Sequence, residues 1–459
     1  MRQLVFIALL LSGSCWATLP VDKLPDGSRT AFVSGDLSHT TSQQSQDQLF
    51  PPASTLKVIT ALAAKLELGD EFRFSTRLER VGAEYVLRFS GDPTLTSKDL
   101  ASLLKQAKVN GLKEITNLYL DGSVFTGYER GVGWPWDILG VCYSAPASAI
   151  TLDKNCVQAS IKSLPNGRTE VFVPSHQPIT VSTVAIALNK VSKKSNQCDL
   201  ELTTTKGNSY HLSGCMLKRD KPLPLKFALQ DTVDYTEHVL KRLLNEQGIK
   251  LKGQIRHKSV ERQGKLIAVH QSQSLVPLLD VMLKQSNNLI ADNLTKALGN
   301  AFFHQPGSFA NGAEAIKQVL FTHTGIDLTQ AVFTDGSGLS RNNRITAQDM
   351  AKVLQYIWQN DSTLNLIALL PVAGESGTLL YRKSIRKAPY KGAIQAKSGS
   401  LFGTYNLAGY ILDESGAPKS YFVQFVTDYH PIKRDDAPKV LAPIYQFEQA
   451  LYKDLLAKP

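Results

Sequence analysis

The sequence predicts an α+β chain of more than one domain, in which a domain of helices and antiparallel strands is split by a β-rich insertion. Three observations predict it. An apolar helical stretch runs from Ser54 to about Leu68, and strongly helical sequence returns only after residue 262. The stretch from about 155 to 262 is mostly strand-like. The C-terminal part reads as three strands and a closing helix. A length of 459 residues is long for one domain, and 43% hydrophobic with 20% charged residues describes a folded globular chain.

Each element has its own pattern. In "STLKVITALAAKLEL", Leu56, Ile59, Thr60, Ala63 and Ala64 recur at helical spacing. "EFRFSTRLER" and "EYVLRFSG" look like paired strands. "LTSKDLASLLKQAKVNG" is a capped amphipathic helix that ends at a glycine, followed by the strand-like "EITNLYLDGSVF". "TEVFVPS" and "HQPITVSTVAI" are strand-like, and "DYTEHVLKRLLNEQG" is a helix among them. "SLVPLLDVMLKQSNNLIADNLTKALG", "GAEAIKQVLFTHTG" and "TAQDMAKVLQYIWQN" are helical. "GAIQAKSGS", "TYNLAGYILD" and "SYFVQFVTDY" form a meander that "VLAPIYQFEQALYKDLL" can cover.

The formal net charge of +11 favours an anionic partner. No basic run is interleaved with aromatic residues, so nucleic acid is not expected as a partner. "MRQLVFIALLLSGSCWA" combines Arg2, a short apolar core and small residues, and fits a secretory signal (1–17) cut after Ala17. A lipid-attachment reading of Cys15 is disfavoured by Ser12, where an apolar residue is wanted. No later apolar run is long enough for a membrane span, so a soluble exported chain is expected. Four further cysteines, Cys142, Cys156, Cys198 and Cys215, favour disulfides in an oxidising compartment. Of three pairings, Cys142–Cys156 with Cys198–Cys215 is preferred because both close short local loops. No metal-ligand spacing is present, and no cofactor or metal is implied.

Ser-x-x-Lys occurs three times, at Ser54/Lys57, Ser102/Lys105 and Ser384/Lys387. Serine caps helices and lysine decorates them, so the tetrad alone decides nothing. The first gains weight from Ser286–Asn287–Asn288 and from Lys397–Ser398–Gly399 downstream. Together these match the three-part signature of penicillin-interacting serine enzymes. A second Ser-x-Asn, at Ser340–Asn342, competes with Ser286, which is preferred because it lies between two apolar helical runs.

The chemistry explains the residue types. A serine hydroxyl needs a base, and no motif places a histidine to serve. A lysine at i+3 on a helix reaches the serine oxygen. Desolvation and a second cation would lower its pKa, and Lys397 is expected to be that cation while attracting a substrate carboxylate. Ser286 can relay a proton to the leaving group, and Asn288 can hold Lys57 and the substrate backbone. The N–H groups of Ser54 and Ser400 would form an oxyanion hole.

Beyond these motifs, "PPASTLKVITALAA", "GWPWDILGVCYSAPASAITLDKNC", "DGSGLSRNN" and "PVAGESGTL" resemble segments of the class C low-molecular-mass penicillin-binding proteins, the D-alanyl-D-alanine carboxypeptidase/endopeptidase family S13. The similarity spans nearly the whole mature chain. It implies a β-lactamase/transpeptidase-like domain, 18–68 and 262–459, interrupted by two nested β-rich inserted domains: one at 69–88 and 151–261, the other at 89–150. It implies an exported, periplasmic DD-peptidase acting on peptidoglycan through an acyl-serine and acylated by β-lactams, with a homodimer left open.

Ser398 replaces the family's threonine and keeps the hydroxyl, whereas Phe402 stands where related chains can carry a polar residue. A stem peptide with meso-diaminopimelate bears an amine and a carboxylate. Arg341 could bind that carboxylate and Asp153 the amine, against the plainer reading of both as turn or surface residues. A β-lactamase is the nearest rival, but Glu314 and Glu375 lie in no Glu-x-x-Leu-Asn segment. A non-catalytic wall-binding or sensing module would not need Lys57 and Lys397.

Overall fold

The structure is a computed structural model that describes residues 19–431 and 441–457. The expected signal, with Cys15 and Ala17, lies outside the described residues. The α-helices in chain order are α1 (Leu56–Glu67), α2 (Ser97–Val109), α3 (Lys190–Ser195), α4 (Thr232–Gln247), α5 (Leu275–Lys284), α6 (Asn288–Phe303), α7 (Phe309–Thr324), α8 (Ala347–Leu364) and α9 (Pro443–Ala457). No helix among the described residues is long and apolar enough to cross a membrane.

The expected C-terminal meander is the edge half of a five-stranded antiparallel sheet. Its order is Ile394–Leu401, Thr404–Leu412, Pro418–Thr427, Arg29–Gly35, Thr40–Gln44. The last two strands, from the N-terminal segment, had no expectation attached. Alternation along Pro418–Thr427 sends Tyr421, Val423 and Phe425 into one core and Phe422 and Val426 into another. The first core is built by α1, α5, α6, α7 and α8; the second is closed by Phe447, Leu451 and Tyr452 of α9. With both faces covered, the strand reads as a continuous apolar run, and α1, set wholly in the first core, buries even Lys57 and Lys65.

The insertion divides differently from the expected nesting. A second five-stranded sheet runs Ile255–His257, Leu118–Asp121, Glu84–Phe89, Ser75–Val81, Lys265–Gln271. Glu84–Phe89 and Leu118–Asp121 pair in parallel, so the chain must cross over between them, and α2 is the crossover. A cut at 88/89 therefore falls inside one β-α-β unit. Thr96 and Asp99 close a capping box that fixes where that helix starts. The β-rich segment is instead Cys156 to Ala228, in a three-stranded and a four-stranded sheet with the short α3 between strands. It shares one apolar cluster with α2, α4 and the second sheet. Lys265–Gln271 pairs with Ser75–Val81, so the first domain resumes after this strand rather than at 262.

Cys142 pairs with Cys156 and Cys198 with Cys215, as preferred from the sequence. The first bridge closes a loop of sequence separation 14, and its removal is expected to cost about 3 kcal/mol through the unfolded chain. Urea unfolding of the C142S/C156S variant, with a lowered midpoint, checks this.

Candidate active site

Ser54 lies in a one-turn 3-10 segment, Ala53–Thr55, that leads directly into α1. Its setting comes from three sides. Asn406 donates from Nδ2 to the Pro51 and Pro52 carbonyls, at 2.8 and 2.9 Å, and Thr55 Oγ1 donates to Pro52 O at 2.7 Å. A Cβ on Gly399 would stand 2.7 Å from Pro52 O, so the edge strand Ile394–Leu401 runs against the turn only because that residue is glycine. Gly338 has φ +77°, and a Cβ there would stand 1.9 Å from Ala53 O. Ala53 itself takes φ +48°, in the left-handed region.

Lys57 is fully buried and donates from Nζ to three acceptors: Ser54 Oγ at 2.9 Å, Asn288 Oδ1 at 2.7 Å and Ser337 O at 2.6 Å. Burial pushes its pKa down to about 8, while Asp292 and Asp335 pull it up. Lys397, also fully buried, donates to Ser286 Oγ at 3.0 Å and to Ser398 O at 2.9 Å. Burial pushes it well down, and Lys57 and then Arg382 push the same way. Burial is thus the first cause at both lysines, and the repulsion between the two cations acts in the same direction.

The three motifs thus converge. Ser286 takes φ +56° and Asn287 caps α6 by accepting from Ile290 N at 3.0 Å, which gives the middle asparagine its own purpose. Asn288, the first residue of α6, bonds Lys57 with one amide atom and donates to Tyr143 O with the other, at 2.7 Å. Ser398 Oγ lies 2.7 Å from Thr378 Oγ1, which ties "PVAGESGTL" to the site. Ser400 is exposed near the end of an edge strand. Ser340, the rival, is buried and donates to Val132 O at 2.6 Å, away from either lysine. Ser102 donates to Lys98 O within α2, and Ser384 bonds Glu448, so neither of the other tetrads presents a free serine.

Two expected substrate residues part company. Arg341 is exposed and acts on Tyr143, whose phenol is pushed up by burial and by Asp137 and pulled down by Arg341. Asp153 joins no part of this constellation. Its carboxylate accepts from Ser97 N at 2.9 Å, from Ser97 Oγ and from Tyr235 OH at 2.9 Å, so it is spent on holding α2 to α4. Phe402 is exposed and packs on His430, ring centroids 5.2 Å apart.

The residues that motif reading missed are Asp292 and the Gly336–Ser337 turn. Asp292 Oδ1 accepts from Gly336 N at 3.1 Å and Ser337 N at 2.9 Å; Oδ2 is buried without a partner. Gly336 O accepts from Thr60 Oγ1 of α1 at 2.8 Å. Asp335 accepts from Trp134 Nε1 and three further groups and fixes the start of the turn. A signal was available: Asp292 stands at i+4 from Asn288, on the same face of α6.

A family profile described as D-Ala-D-Ala carboxypeptidase 3 (S13) matches residues 24–451. The chain belongs to this family. It is 36% identical over 446 residues to a D-alanyl-D-alanine carboxypeptidase DacB of Haemophilus influenzae, covering 94% of this chain and 92% of that one. A D-alanyl-D-alanine carboxypeptidase of Actinomadura is 28% identical, with 82% and 73% covered. The crystal structure of penicillin binding protein 4 (dacB) from Haemophilus influenzae superposes with TM-score 0.87 at 35% identity, covering 95% of this chain and 98% of that one. A predatory peptidoglycan endopeptidase from Bdellovibrio bacteriovorus shares the fold, with TM-score 0.51 at 19% identity and 93% and 91% covered. The family is one of serine peptidases, and the mixed helices and sheets form its α+β multidomain architecture.

Burial and then Asp335 push the Asp292 carboxyl well up while Lys57 pulls it down; Asp292→Asn keeps the acceptor for the turn and removes the charge by which the ionised carboxylate favours protonated Lys57. Its acylation rate should therefore keep the shape of its pH profile, with the acidic limb moved to lower pH. The plateau should fall by less than about tenfold, because a weaker base is shallowly penalised. Stopped acylation with a labelled penicillin across pH 5–9 reads both.

Proposed function

We propose that this chain is a peptidoglycan DD-peptidase, a D-alanyl-D-alanine carboxypeptidase and cross-link endopeptidase that works through an acyl-serine and is acylated by β-lactams. The observation that carries it is the ammonium of Lys57 bonded at once to Ser54 and Asn288, beside a second lysine bonded to Ser286. The relatives' names and a β-lactam complex of the Haemophilus influenzae protein support the same reading.

Deprotonated Lys57 takes the Ser54 proton as Oγ attacks the carbonyl of the penultimate D-alanine. The developing oxyanion is met by the N–H groups of Ser54 and Ser400. Lys397 and Ser398 receive the terminal carboxylate. Ser286, bonded to Lys397, relays the proton gained by Lys57 to the departing amine nitrogen, which leaves Lys57 neutral and Ser286 a hydroxyl again. Water then attacks the acyl-serine, and the proton it loses returns to Ser54 through Lys57. When the departing amine belongs to a diaminopimelate of another stem, the same steps open a cross-link.

Arg341 and Asp137 both bear on Tyr143, so the rim offers a cation and an anion to a side chain that carries a carboxylate and an amine. Asp137 suits the amine better than Asp153, whose carboxylate is occupied. Two disulfides and the signal-like N-terminus support a periplasmic location. Rapid β-lactam hydrolysis is the second reading considered from sequence, but Glu314 is engaged by Gln318 on α7 and Glu375 is exposed, so neither supports it.

Ser54→Ala should abolish labelling by penicillin and lower release of D-alanine from muropeptides by at least about a thousandfold. Mass spectrometry of cross-linked and uncross-linked muropeptide digests reads both activities; stable product masses with wild type would sink the proposal. Arg341→Glu should lower kcat/KM on diaminopimelyl peptides by about tenfold, the size of a lost charge-assisted hydrogen bond, and leave lysyl peptides nearly unchanged.

A further inference from the structure

Beside the catalytic loop lies a groove of about 590 Å³ that none of the motifs accounts for. One wall is Gln285, Ser286, Asn287 and Asn288; the other holds Lys154, from the turn that precedes Cys156, and Lys226, from the strand Leu223–Ala228. Both lysines are exposed, and neither ammonium has a bonded partner among the described residues. The groove lining contains no aspartate or glutamate. Two uncompensated cations at a groove that ends on a catalytic hydroxyl make a local positive potential next to the chemistry.

Lys154 is also placed at a conformational cost. Asp153, Lys154 and Asn155 have φ of +51°, +62° and +48°, three consecutive left-handed residues without a glycine. Such backbone persists only where its surroundings over-determine it. Here they do so through the flanking residues. Asp153 is held by Ser97 and Tyr235. Buried Asn155 donates to Pro146 O at 2.9 Å and Thr151 Oγ1 at 3.1 Å, and accepts from Leu152 N at 3.1 Å. The next residue, Cys156, is bridged to Cys142, which lines the same groove. Every neighbour is tied down, and the one side chain left free is the lysine. Lys226 arrives independently, on an exposed position of the strand Leu223–Ala228, which pairs with the strand that starts at Cys156.

We infer that this groove is an anionic subsite in which Lys154 and Lys226 bind free carboxylates of the substrate's peptide stem, away from the terminal carboxylate held at Lys397. The inference rests on the peptidoglycan-peptidase reading and deepens it: the enzyme selects stems whose carboxylates are free over stems in which they are amidated.

The test uses two synthetic pentapeptides ending in D-Ala-D-Ala with lysine in place of diaminopimelate, so that Arg341 has no carboxylate to bind, one with its glutamate carboxylate free and one with it as the amide. Wild type should favour the free form by about tenfold in kcat/KM, mostly through KM, and added salt should shrink the preference. Lys154→Glu and Lys226→Glu should each erode it, and the double variant should remove it, with turnover of the amide peptide kept within about twofold. Labelling by benzylpenicillin reports the folded serine machinery in each variant. Should Lys154→Glu disturb its left-handed turn, Lys226→Glu carries the same comparison alone. Equal kcat/KM for both peptides with wild type, or a preference that survives in the double variant, overturns the inference. A wild-type chain that cleaves neither peptide overturns the DD-peptidase reading itself, and this subsite with it.

Discussion

Everything in the cleft depends on how one buried ammonium is held. Lys57 is fully buried, and an unpaired charge in such a place costs several kcal/mol. Its three acceptors come from three segments: Ser54 at the start of its own helix, Asn288 at the start of α6, and the Ser337 carbonyl in the turn after Asp335. Each must be brought to within hydrogen-bond distance of the same nitrogen. That requirement fixes the ends of two helices and one turn relative to each other, and so fixes the nucleophile. Asp292 works one step back, holding the turn by two N–H groups so that its carbonyl faces the lysine.

The same requirement explains how a large insertion is tolerated between two halves of one site. The chain leaves after α1 and returns before α5, and these two points touch. Leu275 N donates to Asp70 O at 3.1 Å, and Ser272 N to Phe74 O at 2.9 Å. Beyond them the outgoing strand Ser75–Val81 and the incoming Lys265–Gln271 are paired, so the insertion closes on itself at its base. The helices α1, α5 and α6 can then pack as if the chain were continuous. The insertion is not passive, however, because Tyr143 gives its carbonyl to Asn288 and Trp134 its indole N–H to Asp335.

The sequence reveals what is local and hides what depends on distant parts of the chain. The motif residues were legible because their chemistry is local: Ser54 and Lys57 share a helix face, Ser286 and Asn288 bracket a cap, and Lys397 lies on a strand. The C-terminal meander is legible as three strand-like runs joined by turn signals. Arg29–Gly35 and Thr40–Gln44 are not, since a strand that joins a sheet from the far end of the chain leaves no hairpin signal. The division of the insertion is hidden for a related reason. Helix α2 and its flanking strands were read in the right order, but parallel pairing across a crossover is a non-local fact. Asp153 is hard to place from sequence because a carboxylate near a disulfide reads the same whether it faces a substrate or a tyrosine. Ser337 acts through a carbonyl, which no side-chain pattern can announce.

The two lysines also settle how charge is distributed in the cleft. Both are fully buried, yet they are bonded to different hydroxyls, Lys57 to Ser54 and Lys397 to Ser286. Asp292 and Asp335 favour the charged form of Lys57, whereas Lys57 and Arg382 disfavour that of Lys397. The pair therefore resists carrying two charges at once, and a proton gained by one side weakens the hold on a proton at the other. The acyl transfer proposed above asks for this linkage: Lys57 must gain a proton while Ser286, beside the leaving group, gives one up. Had both lysines been solvated, each would stay charged at neutral pH and neither serine would have a base. Burial, which makes the site expensive to fold, is what lets two ordinary ammonium groups act as a coupled proton store.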